Sequence, residues 1–202
     1  PCAPLTKRVP AIVKALKGYK VIYAPCITAD GSRILQRAKV AVSKGASAVH
    51  LNIWCGFGSY LDLRKRLNVP IFFQKSGDRI LTTGPYSIEP WILYKFIYLI
   101  GCDFAHVGMF GGYLSETVGE IKKRIEAMGT TVPSFSCGAH PGVVGKLRAL
   151  FGDDIMITSG GCIHGHPLGV QAGALAFRQA VNGYENPPLE LKKAIDLWGV
   201  VK

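Results

Sequence analysis

Six short apolar runs, each followed by a turn and a helical stretch, constrain the fold of this 202-residue chain more than any other feature. The runs span 20–28 (KVIYAPCIT), 48–54 (AVHLNIW), 69–74 (VPIFFQ), 103–107, 131–137 and 155–159. They are short, rich in β-branched and aromatic residues, and bounded by turn formers, which marks strands rather than buried helices. Helical stretches lie between them at 32–44, 60–67, 89–100, 115–128, 143–151 and 168–181, with a last helix at 188–198. Gly45, Gly152 and the Asn182–Gly183 pair end three helices, and Ser115 caps a fourth. Pro90 stands in the opening turn of another, where proline is tolerated. Strands alternating with helices give right-handed βαβ units and a parallel sheet, hence an α/β fold.

Two architectures accept that pattern: an open doubly wound sheet and a (β/α)8 barrel of the TIM type. No Gly-x-Gly-x-x-Gly follows the first run, which weakens a dinucleotide site. The glycine-rich segments follow later strands instead, and this favours the barrel. Only about six units are present, at about 27 residues each, shorter than the usual 30 or more. The expectation is a single domain over 1–202, with six units across about 19–183 and a C-terminal helix at 188–198. Two further units are expected from upstream sequence or a second chain, because an unclosed barrel leaves apolar strand edges open. The first residue is Pro1, not Met, so the start is expected to lie upstream or to have been processed.

Hydrophobic residues make up 49% and charged residues 18%, a balance that excludes a disordered chain. The net charge of +11 is spread over the predicted helices, at Lys14, Arg33, Arg37, Lys39, Lys122 and Arg124 among others. Basic groups so dispersed read as solvated helix faces and not as a nucleic-acid patch, and they mildly favour an anionic substrate. The six cysteines form no Cys-x-x-Cys pair, which argues against a zinc site or disulfide framework and for a reducing, cytoplasmic setting. No apolar run approaches about 18 residues, so no membrane span is expected.

The strongest chemical signal is Thr158–Gly169 (TSGGCIHGHPLG), at the end of the sixth run. Gly160 and Gly161 lack side chains, so their amides can approach an anion, and barrel phosphate sites often form after the last two strands. The turn Ser136–Gly142 ends the preceding run and adds Gly138, with Ser136 as a hydroxyl donor. His106, in Asp103–Gly108, stands at a strand end, where barrel active sites lie. Lys75 follows the third run and is a candidate cation for phosphate. His50 reads as a core histidine and His140 as a residue that shapes its turn. His164 and His166 bracket Gly165 without a carboxylate nearby, so no metal site is assigned in this chain.

These segments, in this order, resemble the RuBisCO large-chain superfamily. The likeness spans about residues 18–183 and is most specific over 134–183, through Ser136–His140, Phe151–Asp154 and Gly160–Pro167. The form Gly161-Cys-Ile-His-Gly-His-Pro167 is most similar to RuBisCO-like proteins and archaeal RuBisCO. The resemblance implies one substrate phosphate on Gly138, Gly160 and Gly161, and a second phosphate region served by Lys75, His106 and Ser136. It implies enolisation of a phosphorylated ketose or diketone beside Mg²⁺, with carboxylation in some members. It also implies a homodimer or higher oligomer.

The sequence departs from the carboxylase pattern in four ways. Gln74 stands where carboxylases carry histidine, and Lys75 where they carry arginine. Lysine is a point charge without the bidentate fork. Tyr113 stands where the mobile loop of carboxylases carries a lysine. The strand that bears the family's carbamylated lysine and acidic magnesium ligands is not matched within these 202 residues. The expectation is a RuBisCO-like protein acting on a phosphorylated sugar or ketone by enolisation, isomerisation or a related decarboxylation, as an isomerase or lyase. The alternatives are an archaeal-type carboxylase represented in part and a non-catalytic phosphate-binding module.

Overall fold

In the computed structural model, which describes residues 3–111 and 116–201, the chain divides into two compact units. The first runs to His106 and includes Lys123–Thr131. It holds α1 (Leu5–Ala15), α2 (Gly31–Ser43), β1 (Val49–Asn52), α3 (Phe57–Arg66), β2 (Ile71–Gln74), α4 (Arg79–Thr82) and α5 (Pro90–Ile100). It also takes the start of β3 (Phe104–Gly108) and the end of α6 (Val118–Ala127). β1 and β2 pair in parallel from Val49↔Ile71 to Asn52↔Gln74, and β2 pairs with β3 at Phe72↔Phe104 and Phe73↔Ala105.

Alternation along these strands decides what each face carries. Val49, Leu51, Ile71 and Phe73 are fully buried, while His50, Asn52, Phe72 and Gln74 turn to the opposite face. Tyr60 of α3 and Tyr94 of α5 pack on Phe73. Their phenols cannot be buried without acceptors. Tyr60 Oη donates to the Leu51 carbonyl at 2.5 Å and Tyr94 Oη to the His106 carbonyl at 2.7 Å.

The expected strand at 20–28 is corrected: it forms only a parallel bridge, Cys26↔His50. Ile27 N donates to the His50 carbonyl and His50 N to the Pro25 carbonyl. Pro25 has no N–H to extend the ladder, which keeps the pairing to this short stretch.

The second unit comprises Val107–Lys122 and 132–201. It holds the end of β3, the start of α6, β4 (Val132–Phe135), α7 (Val144–Phe151), β5 (Met156–Ile157), α8 (Gly161–His164), α9 (Val170–Asn182) and α10 (Leu189–Trp198). β4 and β5 are parallel, with Ser134↔Met156 and Phe135↔Ile157 in register. Phe135 packs on Phe151 of α7, their ring centroids 4.8 Å apart. α10 is tied to α9 through buried Gln179, whose Oε1 accepts from Leu191 N at 3.0 Å and whose Nε2 donates to Glu190 at 2.8 Å.

The fold is α/β with parallel strands, as the strand–helix alternation predicts. The short helices α4 and α8 lie in segments that read as loops. Ser115 and Tyr113 fall outside the described residues. Among the described residues, no helix is long and apolar enough to cross a membrane.

Candidate phosphate-binding corner

The two glycine-bearing turns meet within the second unit. A cavity of about 270 Å³ is lined by Gly138 and His140 from the turn after β4, Ser159, Gly160 and Gly161 from the turn after β5, and Trp198 from α10. Local hydrogen bonds hold the turns together. Ser159 Oγ donates to the Ala139 carbonyl at 2.9 Å, Ser134 Oγ and Thr158 Oγ1 lie 2.6 Å apart, and Thr158 N donates to the Phe135 carbonyl at 2.8 Å.

The first turn needs unusual backbone. Cys137 and Gly138 adopt φ +76 and +113. A left-handed residue bearing a Cβ costs about 1–2 kcal/mol, so Cys137 is held in place by its surroundings. Gly160 and Gly161 are not required by the local packing: a Cβ built on either meets nothing within 4 Å, so both open onto free space. Gly160 caps α8 and Gly161 begins it, so their amides have no intrahelical acceptor. Such amides facing an open cavity suit a phosphate or similar anion.

The structure thus brings together three of the residues singled out in the sequence: Gly138, Gly160 and Gly161. Ser136 precedes them but does not line the cavity; its N–H donates to the Gly108 carbonyl at 3.2 Å and its Oγ lies 3.7 Å from Cys137 Sγ. Two contributors were missed. His140 was read as shaping its turn, yet it lines the cavity and its Nδ1 is buried without a hydrogen-bond partner. Burial depresses its pKa, so the imidazole is neutral near pH 7. Trp198 comes from the last helix, 37 positions beyond Gly161, and nothing local to the glycine motif signals it.

Lys75 and His106 belong to the first unit, and both are buried. Lys75 Nζ lies 3.6 Å from Asp78 Oδ2, so its charge is partly met within the protein. His106 is 5% exposed and its Nδ1 has no hydrogen-bond partner. Burial, then the neighbouring His50 and Lys75, pushes its pKa down to about 4, so it offers a neutral N–H rather than a cation. His50 lies against it, ring centroids 5.7 Å apart. Asp103 is structural: it pairs with Arg64 and accepts from Ile71 N. His166 is also structural, with Nε2 3.0 Å from the Glu190 carbonyl and Nδ1 accepting from Leu168 N. Among the described residues no group of three His, Cys, Asp or Glu is placed to hold a metal, so the residues present do not fit Mg²⁺ and no step is assigned to it.

Comparison with known proteins gives a consistent result. A family model described as ribulose bisphosphate carboxylase large chain, catalytic domain, matches residues 116–194. A ribulose bisphosphate carboxylase of Pyrococcus abyssi is 31% identical over 94% of this chain and 50% of its own length. A 2,3-diketo-5-methylthiopentyl-1-phosphate enolase of Geobacillus thermodenitrificans is 30% identical over 98% of this chain and 55% of its own. An octameric ribulose-1,5-bisphosphate carboxylase/oxygenase of Pyrococcus horikoshii superposes with a TM-score of 0.83 at 28% identity, over 95% of this chain and 53% of that one. The chain therefore spans about half the length of the relatives it matches.

Proposed function

This chain carries a domain of the RuBisCO large-chain family, and from that premise we propose that the protein acts on a phosphorylated sugar or ketone by enolisation or isomerisation. The observation that carries the reading is the convergence of Gly138, Gly160 and Gly161 on one open cavity. In this reading those amides hold a substrate phosphate within the second unit, and Lys75 and His106 are proposed separately as substrate contacts of the first unit. The residues of this chain bind and orient. Mg²⁺ is expected from the family, and its ligands would lie outside these 202 residues. The active protein is proposed to be a homodimer or larger assembly.

Relatives of similar identity carry the names of an enolase and of a carboxylase. We favour the non-carboxylating reaction on the strength of Gln74 and Lys75. A lysine already paired with Asp78 is a poor replacement for a bidentate guanidinium. The test uses the full-length protein with Mg²⁺ and two substrates, ribulose 1,5-bisphosphate and a 2,3-diketone 1-phosphate. NMR would follow deuterium entry at the carbon next to the carbonyl, and labelled CO₂ would follow fixation. Exchange without fixation supports the proposal, fixation establishes the carboxylase, and phosphate binding without either reaction leaves a binding module.

A further inference from the structure

Among the described residues, no lysine, arginine or carboxylate lines the cavity between the two glycine-bearing turns. Its titratable side chains are His140 and the thiols of Cys137 and Cys162. A thiol can gain only negative charge, so the imidazole is the one lining group able to turn positive. We propose that His140 is an anion-binding residue of this corner, donating from Nε2 to the bound anion and taking up a proton as the anion enters. The inference deepens the phosphate-corner reading and rests on it.

The backbone around His140 is fixed from both sides. Ser159 Oγ donates to the Ala139 carbonyl at 2.9 Å, and Val201 N donates to the Gly142 carbonyl at 3.0 Å. The His140 carbonyl itself accepts from Val143 N at 3.1 Å. Gly142 permits the close approach of the C-terminal segment, because a Cβ there would lie 1.9 Å from the Gly199 carbonyl oxygen. Within this frame Nδ1 is buried and has no hydrogen-bond partner. Nε2 is neither sealed from solvent nor hydrogen-bonded to a described residue, so it is the ring nitrogen left to a ligand. A buried polar atom without a partner is uncommon in a folded protein and needs a physical reason.

The charged and titratable groups on the surrounding elements offer no rival. On α8, His164 is exposed and does not line the cavity, and the Cys162 thiol is kept protonated by burial. Behind Trp198 of α10, the His166 ring lies 6.3 Å away between centroids, its Nε2 engaged with the Glu190 carbonyl and its Nδ1 with Leu168 N. Glu190 accepts from Gln179 of α9, and Arg148 of α7 is paired with Asp153. Burial alone holds the free imidazole below its ordinary pKa. An anion on the glycine amides opposes that effect, because a nearby opposite charge favours the imidazolium. The bound-state pKa therefore lies above the free one. Linkage is reciprocal, so protonation tightens anion binding by the factor by which the anion tightens the proton. Affinity rises as pH falls from the bound value to the free one and is flat beyond both.

The test titrates the full-length protein with sulfate at constant ionic strength, from about pH 5 to about pH 8. Sulfate keeps its charge over that range, whereas a phosphate group titrates at about pH 6. The parent's affinity is expected to rise about tenfold between about pH 7.5 and about pH 5.5. Calorimetry in two buffers of different ionisation enthalpy should show about one proton taken up per anion where the affinity is steepest. His140→Gln keeps an N–H donor but cannot become a cation, so its affinity should change less than about threefold and its proton uptake should vanish. His164→Gln should keep the parent's profile. A pH-independent parent affinity, a slope retained by a folded His140→Gln, or a slope lost in His164→Gln would overturn the linkage and leave the phosphate corner standing. No sulfate binding at any pH would remove the corner and this inference together. If His140→Gln does not fold, the imidazole proton resonances of the parent decide. One is expected to titrate at higher pH with sulfate than without, and no shifted resonance would overturn the proposal.

Discussion

Gly160 and Gly161 face open space, and a methyl group on either would enter the volume an anion would occupy. Gly161→Ala should therefore leave thermal stability within about 0.5 kcal/mol of the parent while weakening phosphate binding by about tenfold or more. Calorimetric titration with inorganic phosphate beside a melting curve reads both quantities; unchanged affinity would count against the corner. His106 gives a different residue-scale prediction. Its folded pKa of about 4 lies below the ordinary 6.5, so the unfolded chain binds the proton more tightly. The stability that neutral His106 contributes is complete above about pH 6.5 and is lost as pH falls toward 4, on the order of 3 kcal/mol. Urea midpoints taken from about pH 7 to about pH 4.5 should fall more steeply for the parent than for His106→Gln. Equal slopes would show that His106 is not buried neutral.

At the scale of elements, the corner depends on how α8 sits against α9. A Cβ at Gly173 would lie 2.3 Å from the Ile163 carbonyl oxygen, so the two helices touch backbone to backbone. Gly173→Ala must push α8 away, and α8 carries Gly161. We expect a stability loss of about 1–3 kcal/mol together with weaker phosphate binding. Gly161→Ala should show the second effect without the first, so melting curves and titrations on the pair separate a blocked cavity from a displaced one. α10 is held by a comparable device. Gln179 is nearly buried and satisfies Leu191 N, so Gln179→Ala would leave that donor without its partner. A loss of about 1–3 kcal/mol in a urea titration is expected, with Trp198 fluorescence reporting release of the helix that lines the cavity.

At the scale of the whole molecule, the chain carries a net charge of +11, while the corner itself is built from neutral groups: glycine amides, hydroxyls and a neutral His140. Screening should then weaken phosphate binding several-fold between about 0.05 and 0.5 M salt, chiefly by slowing association. A salt-independent affinity would mean that the amides alone supply the attraction. The α/β class was legible without coordinates, because β-branched runs bounded by glycine and alternating with amphipathic stretches admit little else. The glycine pair after β5 was legible for the same reason: closely spaced glycines at a strand end have few structural uses besides close approach. The partial failure of the strand at 20–28 was foreshadowed by Pro25, although the length of the surviving pairing was not. What needed tertiary structure is whatever depends on residues far apart in the chain. Trp198 reaches the corner because α10 is anchored through Gln179, His166 and the Val201–Gly142 hydrogen bond. Cys26 lies 24 positions before His50, and strand register alone makes them neighbours. Periodicity and turn chemistry act over a few residues and are written in the sequence itself, whereas pKa shifts, open cavities and backbone contacts arise from packing between segments that carry no local mark of one another.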